Sequence, residues 1–419
     1  MTLLRTSFLN GIAVIIKMLT LLGINKMLAI YVGPSGYAAL GQFQNAVQMI
    51  TTFSTGAIST GVTKYTAEYQ DDEEAQRRVW RTAGTIAFIG SIVTSIVIGG
   101  FSKTLAVWCF NDESLYRVFI WCAATVVFFS FNTLLLAILN GKKDIKRYIL
   151  ANIGGSILSL IVTIIMVVLY GLYGALVSLV LYQSIAFFVT CLLCYRTPWF
   201  RFSNLFGRLD RQVIINLTKF TAMALTTAAC VPVSHILVRN YLGTEFGWEA
   251  AGYWEAMWRL STAYLLLVTT TLGLYFLPRL SELVNPGDIK KEILQGYKLI
   301  LPVAIVCGLL IYILRDFIIG LLFTSAFSPM RELFAWQMLG DTLKIASWLL
   351  AYLMLGKAMV KLYIFTEVVF AFGFYFLTIA LTKIGGAVGV TWAHALNYGV
   401  YLVVMYFLIY RKLNKNHSV

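Results

Sequence analysis

Long apolar segments, separated by short polar and basic stretches, follow one another along the whole chain. Each is long enough to cross the hydrocarbon layer of a membrane, about 30 Å thick, as a helix. Helices are expected because an unpaired backbone group in lipid costs several kcal/mol. The pattern predicts twelve membrane helices, at 8–31, 37–66, 82–102, 116–140, 148–170, 174–195, 213–239, 251–277, 295–314, 331–355, 361–382 and 387–410.

An internal repeat relates the two halves of this pattern. Residues 141–149 read GKKDIKRYI and residues 356–364 read GKAMVKLYI, with five identities in register. Six helices per half is an even number, so both halves enter the membrane in the same orientation. They should then be related by an axis along the membrane normal. The sequence therefore predicts an all-α integral membrane protein of two facing six-helix bundles, residues 1–207 and 208–419.

Composition agrees with this architecture. The chain is 59% hydrophobic and 12% charged, with a mean hydropathy of +0.78. Soluble domains carry about 25% charged residues. A net charge of +14 would suggest a nucleic-acid partner in a soluble protein. Here we attribute it to cytoplasmic loops that face anionic lipids, and we expect membrane lipids and no nucleic acid as partners.

The distribution of lysine and arginine predicts the orientation. Of the 33 basic residues, 23 fall in the loops and helix ends on the side of the N-terminus, and six fall on the opposite side, among them Arg239. Four lie inside predicted helices: Lys17, Lys26, Arg259 and Lys344. Basic loops stay in the cytoplasm, so both termini are predicted there.

Several kinds of chemistry are disfavoured. Cys191 and Cys194 form a CxxC pair, but inside a predicted membrane helix with no second pair, and we expect neither a metal nor a redox role. The Gly-Lys pairs of the repeat lack the glycine and Ser/Thr of an ATP-binding loop. His235, His394 and His417 are scattered along the chain. We therefore expect no cofactor and no enzymatic activity.

The second predicted helix carries a polar stripe. Its members, spaced by three or four residues, are Gln42, Asn45, Gln48, Thr52, Thr55, Ser59 and Thr63. Such spacing places them on one helical face. Hydrogen bonds between helices, worth about 0.6 kcal/mol each, are one explanation. A face that lines a water-filled cavity is the other, and the three amides favour it.

Charged residues at membrane depth are the strongest functional signal. Glu255 and Arg259 stand four apart, so they either neutralise each other or let Glu255 hold Arg259 toward a cavity. Asp341 and Lys344 pose the same question at spacing three. Glu367 has no basic residue within four positions. It either couples transport to an ion or pairs with a lysine on another helix.

The first helix carries two lysines. Lys17 has no acidic residue within four positions, so we expect it to face protein or water. Lys26 lies half a turn away on a straight helix. It either reaches the outer headgroups or, with a bend at Gly23, shares the cavity with Lys17.

The balance of these charges predicts the chemistry of the substrate. Basic groups outnumber Glu255, Asp341 and Glu367, and a cavity of that sign attracts anions such as phosphates. Aromatic residues that suit sugar rings lie nearby: Tyr253, Trp254, Trp258, Tyr275 and Trp336. We expect a substrate that is anionic, partly sugar-like and partly apolar.

Several strings resemble a known family. They are GVTKY at 61–65, LPRLS at 277–281, RDF at 315–317, FAWQ at 334–337 with Gly340, Asp341 and Lys344, and Lys357-Ala358 with Tyr363, Ile364 and Glu367. They resemble the Wzx flippases of bacterial polysaccharide assembly, in the MOP superfamily that also holds the MATE exporters and the lipid II flippase. The strings are most similar to the branch that moves the lipid-linked trisaccharide of enterobacterial common antigen, and O-antigen flippases share the plan.

The resemblance implies an activity. An undecaprenyl-pyrophosphate-linked oligosaccharide would be turned from the cytoplasmic to the periplasmic leaflet of the inner membrane, with a polysaccharide polymerase and a chain-length regulator as further partners. The energy source stays open between an ion gradient, the membrane potential and consumption of the product. A cation-coupled drug exporter, which would need an acidic cavity, and a membrane polysaccharide polymerase are the alternatives.

These arguments select a set of residues. Lys64 and its counterpart in the second half, Arg279, belong to two of the resembling strings. The predicted substrate-binding residues are Lys17, Lys26, Gln42, Asn45, Gln48, Lys64, Arg259, Arg279, Asp341 and Lys344, and Glu367 is the predicted ion-coupling residue.

Overall fold

The computed structural model describes residues 3–276, 279–280, 283–357 and 359–415; side chains are described from Val14 onward, except at 219, 220, 223, 267, 271, 274 and 413–415. The described chain is helical, with no β-strand. The helices are α1 Leu3–Tyr31, α2 Gly33–Thr55, α3 Ser59–Glu68, α4 Glu73–Gly100, α5 Ser102–Phe110, α6 Tyr116–Gly141, α7 Ile145–Tyr195, α8 Arg211–Phe246, α9 Trp248–Thr271, α10 Pro286–Ile313, α11 Arg315–Leu322, α12 Phe334–Gly356, α13 Val360–Gly385 and α14 Gly389–Lys415.

The predicted fold class is confirmed. Seven helical stretches of the described chain are long and apolar enough to cross a membrane, and those of 51 and 53 residues each contain two of the predicted helices. The other predicted membrane helices correspond to α2 with α3, α8 and α9, which carry more polar residues. The protein is therefore a multi-pass helical membrane protein.

The long helix α7 reverses direction at Gly171. This residue has φ +54° and ψ −132°, a conformation that only glycine adopts without strain. A side chain added at Gly174 would lie 1.8 Å from the Met166 carbonyl oxygen, so the two arms meet at the turn. The predicted pair 148–170 and 174–195 is thus a helical hairpin.

The prediction of a single helix at 37–66 is wrong. The first helix, α2, ends at Thr55, where Gly56 with φ +60° caps it and donates its N–H to the carbonyl of Phe53. Ala57 also has positive φ, and α3 begins at Ser59. Two left-handed residues redirect the chain, so the polar stripe is divided between two helices.

Two other boundaries differ from the prediction. Helix α8 continues to Phe246, which places Arg239 inside a helix and not in an outer loop. The predicted outer loop near 315–330 folds as α11 and a 3₁₀ segment, Ser325–Leu333. In α8, Arg239 is buried and pairs with Glu255 of α9, and in α11 the buried residue is Ile319.

Helix starts follow local capping signals. The carboxylate of Asp72 accepts the Ala75 N–H at 2.9 Å and begins α4, and Asn285 accepts the Gly287 N–H at 3.1 Å ahead of Pro286, the first residue of α10. A side-chain acceptor at this position satisfies one of the unpaired N–H groups of the first turn. These caps fix the residues at which α4 and α10 begin.

The two copies of the nine-residue repeat adopt the same local structure. Gly141 ends α6 and Gly356 ends α12, and the next helix begins four residues later in each case. In the first copy Lys142 donates to the amide oxygen of Gln76 at 3.1 Å, and in the second Lys357 donates to the carbonyl of Leu283. Each lysine thus fastens a helix end to the neighbouring element.

The chain forms two compact units. Unit 1 comprises residues 1–32 and 39–232, and unit 2 comprises 33–38 and 233–419. In unit 1 the core includes Val62, Trp80, Leu135 and Leu217, and in unit 2 the main core includes Leu272, Leu349, Leu353, Met354 and Met405. The division of the sequence into halves at 207 and 208 stays a prediction.

Candidate functional site

The most polar region of the unit 2 interior is built around a buried carboxylate, Asp341 on α12. Its Oδ2 accepts hydrogen bonds from Ser261 Oγ and the Tyr264 hydroxyl, both at 2.6 Å. Its Oδ1 accepts from Gln337 Nε2 at 3.2 Å and lies 3.0 Å from His394 Nε2. We call these five residues the Asp341 cluster. A fully buried carboxylate is stable only with this number of partners.

Helical periodicity and a glycine bring the cluster together. Gln337 and Asp341 stand one turn apart on α12, as do Ser261 and Tyr264 on α9. His394 reaches Asp341 from α14 because residue 340 is glycine: a side chain there would lie 2.2 Å from the His394 ring. The close approach of α12 and α14 therefore depends on Gly340.

Lys344, one turn further along α12, lies among aromatic rings. Its ammonium is 4.2 Å from the centroid of Trp258, 5.1 Å from that of Trp348 and 5.4 Å from that of Tyr398. Cation–π attraction of this kind reaches about 2 kcal/mol when the cation is desolvated. Among the described residues Lys344 makes no ion pair within 4 Å, so the direct Asp341–Lys344 pair considered from the sequence does not form.

Glu367, on α13, faces the same region. It is half-buried, and it lies close enough to Lys344, Tyr398 and Tyr401 to act on them electrostatically. The sequence left two roles for Glu367, ion coupling or interaction with a lysine of another helix. Proximity to Lys344 is compatible with both.

A second buried ionic group lies on α8 and α9. Glu255 accepts from Arg239 Nη2 at 2.6 Å and from Arg259 Nε at 2.8 Å. The guanidinium of Arg239 lies 5.3 Å from the centroid of Trp254, and that of Arg259 lies 5.6 Å from that of Tyr37. We call Arg239, Glu255 and Arg259 the arginine triad. Its one carboxylate between two guanidinium groups leaves a positive charge.

Arg239 is the functional candidate that sequence analysis missed. Its side chain is only 1% exposed, although its position near the end of a predicted helix assigned it to an outer loop. Sixteen residues separate it from Glu255, so local spacing gives no sign of the pair. The one available signal was a basic residue in an otherwise apolar segment.

The fold brings together two of the histidines that are far apart in the sequence, His235 and His394. His235 lies 4.3 Å from Trp258 between ring centroids, and His394 lies 5.6 Å from the same ring. His394 also contacts Asp341, so a His/Asp pair exists where sequence spacing indicated none. Packing of α8, α9 and α14 around Trp258 creates this arrangement.

In unit 1 the predicted residues are less closely grouped. Helix α1 is continuous, without a break at Gly23. Because glycine has no side chain, Leu160 packs closely against the helix at this position. Lys17 is exposed and Lys26 half-buried. Lys64 is exposed beside the ring of Tyr65, at 5.0 Å from its centroid.

The polar stripe serves two purposes. Gln42 is buried, Asn45 is half-buried and Gln48 is exposed. The Asn45 Nδ2 atom is buried without a hydrogen-bond partner among the described residues. Thr63 donates to the Ala137 carbonyl on α6 at 3.2 Å, while the Thr52 hydroxyl returns to its own helix. Contacts between helices thus explain part of the polar stripe. The exposed side-chain amide of Gln48 is accessible to a ligand.

Arg279 contacts Glu292, which is not part of the Asp341 cluster. Its Nε is 3.5 Å from Glu292 Oε2, and the Tyr275 hydroxyl also donates to Glu292, at 3.2 Å. The arginine is about half exposed, which leaves part of its guanidinium for another anion.

Charge around the arginine triad, the Asp341 cluster and Lys344 is balanced, while the buried Glu292 pairs separately with Arg279. Arg239, Arg259 and Lys344 stand against Glu255, Asp341 and Glu367, so the basic excess inside the helices comes from Lys17 and Lys26 of α1. The described residues include no group of three His, Cys, Asp or Glu side chains that could hold a metal ion. This arrangement provides cationic and amide donors for an anionic, hydroxyl-rich ligand.

Comparison with solved structures defines the class of fold. The chain has the fold of MOP-superfamily transporters: it matches an inward-facing multidrug resistance MATE transporter over 95% of its length and 96% of that chain, with a TM-score of 0.77 and 14% identity. A MOP-superfamily transporter from Pyrococcus furiosus, whose binding pocket is described as reversed in polarity, matches with a TM-score of 0.67 and 15% identity over 96% of this chain and 95% of that one.

Within this class the sequence defines the family. Residues 37–332 match the model of the polysaccharide biosynthesis protein family, and the chain belongs to that family. The lipid III flippases of Escherichia coli (strain K12) and Shigella flexneri are each 29% identical to it over 414 residues, which cover 98% of this chain and all of theirs. The predicted resemblance is confirmed.

Proposed function

We propose that the protein is a flippase for an undecaprenyl-pyrophosphate-linked oligosaccharide. It moves this lipid from the cytoplasmic to the periplasmic leaflet of the bacterial inner membrane by alternating access, with both termini in the cytoplasm. The observation that carries the proposal is the match to the lipid III flippases, which covers 98% of this chain and all of theirs. A polysaccharide polymerase and a chain-length regulator are the proposed functional partners.

Basic and amide groups would bind the polar part of this lipid. Lys17, Lys26, Lys64, Arg259 and Arg279 offer charge-assisted hydrogen bonds to pyrophosphate oxygens. The predicted sugar donors and acceptors are Gln42, Asn45 and Gln48. In unit 2 the arginine triad supports this role, because Glu255 fixes the Arg259 guanidinium while Arg239 keeps the group positive.

Ion coupling would involve the region of Glu367 and Lys344. Protonation of the Glu367 carboxylate would remove a negative charge next to the Lys344 ammonium and so change the field around the aromatic rings. Asp341 is less suited to direct exchange with solvent, because it is fully buried and holds four partners. We assign the Asp341 cluster to positioning Lys344.

The Asp341 cluster does not have the geometry of a Ser-His-Asp triad. A Ser-His-Asp catalytic triad needs the histidine between the serine and the carboxylate. Here Asp341 lies between Ser261 and His394, and all three are buried. His394 therefore does not act as the general base for Ser261. A drug exporter shares the fold, and its expected acidic excess is absent from the balanced charges around the arginine triad, the Asp341 cluster and Lys344.

Depletion of the protein in its native host would test the function. We expect the complete lipid-linked oligosaccharide to accumulate on the cytoplasmic leaflet, where it is inaccessible to a glycan-binding probe added to intact spheroplasts. Re-expression of the chain should restore access to the probe. Accumulation of single repeat units on the periplasmic leaflet would instead identify a polymerase. A normal oligosaccharide distribution with a loss of resistance to organic cations would identify a drug exporter.

A further inference from the structure

A groove of about 240 Å³ lies on unit 2, outside the site described above. One wall is the first half of α10, including Ile293 and Tyr297, and the other is the last turns of α14, including Ile409. Helices α10 and α14 both pack along α12, so Leu350 of α12 forms the base between them. The spacing of the lining residues on each helix makes both walls continuous apolar faces.

One end of the groove is cationic and aromatic. Lys290 Nζ lies 4.6 Å from the centroid of the Tyr410 ring, and this ring stacks on Tyr406 with centroids 5.7 Å apart. Tyr297 is fixed by a hydrogen bond from its hydroxyl to the Ala346 carbonyl at 2.9 Å. Tyrosine and lysine are the residues that mark the level of lipid headgroups.

The surface around that end is positively charged. Lys291 follows Lys290 on α10, and Arg411 and Lys412 follow the groove on α14; all three are exposed. The neighbouring acidic residues are Asp288, which is exposed, and Glu292, which is buried in an ion pair. A lipid headgroup at this end would therefore meet an excess of positive charge.

We propose that this groove binds one anionic phospholipid, with its phosphate at Lys290 and the upper part of one acyl chain against Ile293, Tyr297 and Leu350. The walls from residue 290 to residue 297 extend about 10 Å along the helix, and pockets that hold larger ligands measure about 300–1,000 Å³. The groove is thus suited to the upper part of a single acyl chain. Excess basic charge at its mouth selects an anionic over a zwitterionic headgroup.

Native mass spectrometry of the full-length protein in detergent can test this proposal. We expect phosphatidylglycerol to be retained at stoichiometry one, and phosphatidylcholine at the same concentration to be retained at least severalfold less. Lys290→Gln should weaken phosphatidylglycerol binding about fivefold, the effect of one lysine near a lipid phosphate. Lys298→Gln, an exposed lysine on the same helix outside the groove, is the matched control and should leave binding unchanged.

A second variant tests the groove separately from the charge. Leu294→Trp places a bulky ring at an exposed position of the groove wall, so folding should be retained while the acyl chain is blocked. Equal binding by the wild type, Lys290→Gln and Leu294→Trp would overturn the proposal, as would equal retention of phosphatidylcholine or preferential retention of undecaprenyl phosphate. The readout does not depend on transport, so its result is separate from that of the flippase assay.

Discussion

At the scale of single residues, the arginine triad shows how a buried charge is made stable. The Glu255 carboxylate contacts both Arg239 and Arg259, and Arg239 is almost completely buried. Removal of one partner from a buried ion pair costs about 3–5 kcal/mol, because the remaining charge is left without compensation. We therefore expect stability and the proposed substrate binding to depend on the same side chain, Glu255.

We predict that Glu255→Gln lowers stability by about 3–5 kcal/mol. The neutral amide removes the negative charge that both guanidinium groups contact. A fluorescence-based thermal unfolding assay of the purified protein would measure the change. Glu249→Gln, an exposed glutamate on the same helix, is the control and should unfold as the wild type does.

Glu367 allows a test of ion coupling. We predict that Glu367→Gln removes the pH dependence of transport, because the amide carries no charge at any pH. Transport of the lipid-linked oligosaccharide into proteoliposomes, measured from pH 5.5 to 8.0, would check this. A pH profile identical to that of the wild type would exclude Glu367 as the coupling residue. Glu332→Gln, an exposed glutamate near the start of α12, is the comparison variant.

At the scale of elements, glycine sets how closely helices approach. Gly340 lets His394 of α14 reach Asp341 of α12, and Gly84 of α4 lies where an added side chain would meet the Leu205 carbonyl oxygen at 1.9 Å. A backbone carbonyl cannot move aside as a flexible side chain can. Helix pairs in membranes rely on such small residues because packing, and not water exclusion, drives their association.

We predict that Gly340→Ala destabilises the protein, while Gly308→Ala does not. The added methyl group at 340 must displace His394 and break its contact with Asp341, whereas the nearest atom to a methyl group at 308 is 3.7 Å away. Overpacking of this kind costs about 1–3 kcal/mol. The thermal unfolding assay described above would detect it. Equal unfolding temperatures for the two variants would show that α14 moves away from α12 without a change in the free energy of unfolding.

At the scale of the whole molecule, the orientation of the chain follows from its basic loops. We predict that a C-terminal green fluorescent protein fusion is fluorescent, since that reporter folds in the cytoplasm, and that alkaline phosphatase fused after Asn111 is active. Asn111 ends α5, in the region predicted to face the periplasm. The opposite pair of results would invert the proposed topology.

Transport should depend on basic groups in both units. We predict that Lys17→Ala, Lys64→Ala, Arg259→Ala and Lys344→Ala each reduce complementation of a flippase-deficient strain while membrane insertion is retained. Surface polysaccharide would measure activity, and immunoblotting of membranes would measure insertion. Lys298→Ala, an exposed lysine on α10, serves as the control. Normal surface polysaccharide from all four variants would contradict the electrostatic basis of the proposal.

The sequence by itself determined the fold class and the repeat, because these depend on local apolar runs and on loops that must be polar. It also identified Glu255, Arg259, Asp341, Lys344 and Glu367, since a charge inside an apolar segment is visible without a structure. What it could not show is which charges meet.

Tertiary structure decided the partners. His394 is 53 residues from Asp341, and Arg239 is 16 from Glu255. Such contacts depend on the rotation and spacing of packed helices, which a period of 3.6 residues does not fix. The break at Gly56 and Ala57 was missed for a related reason: apolar and polar residues continue through it, and only the left-handed backbone divides the helix.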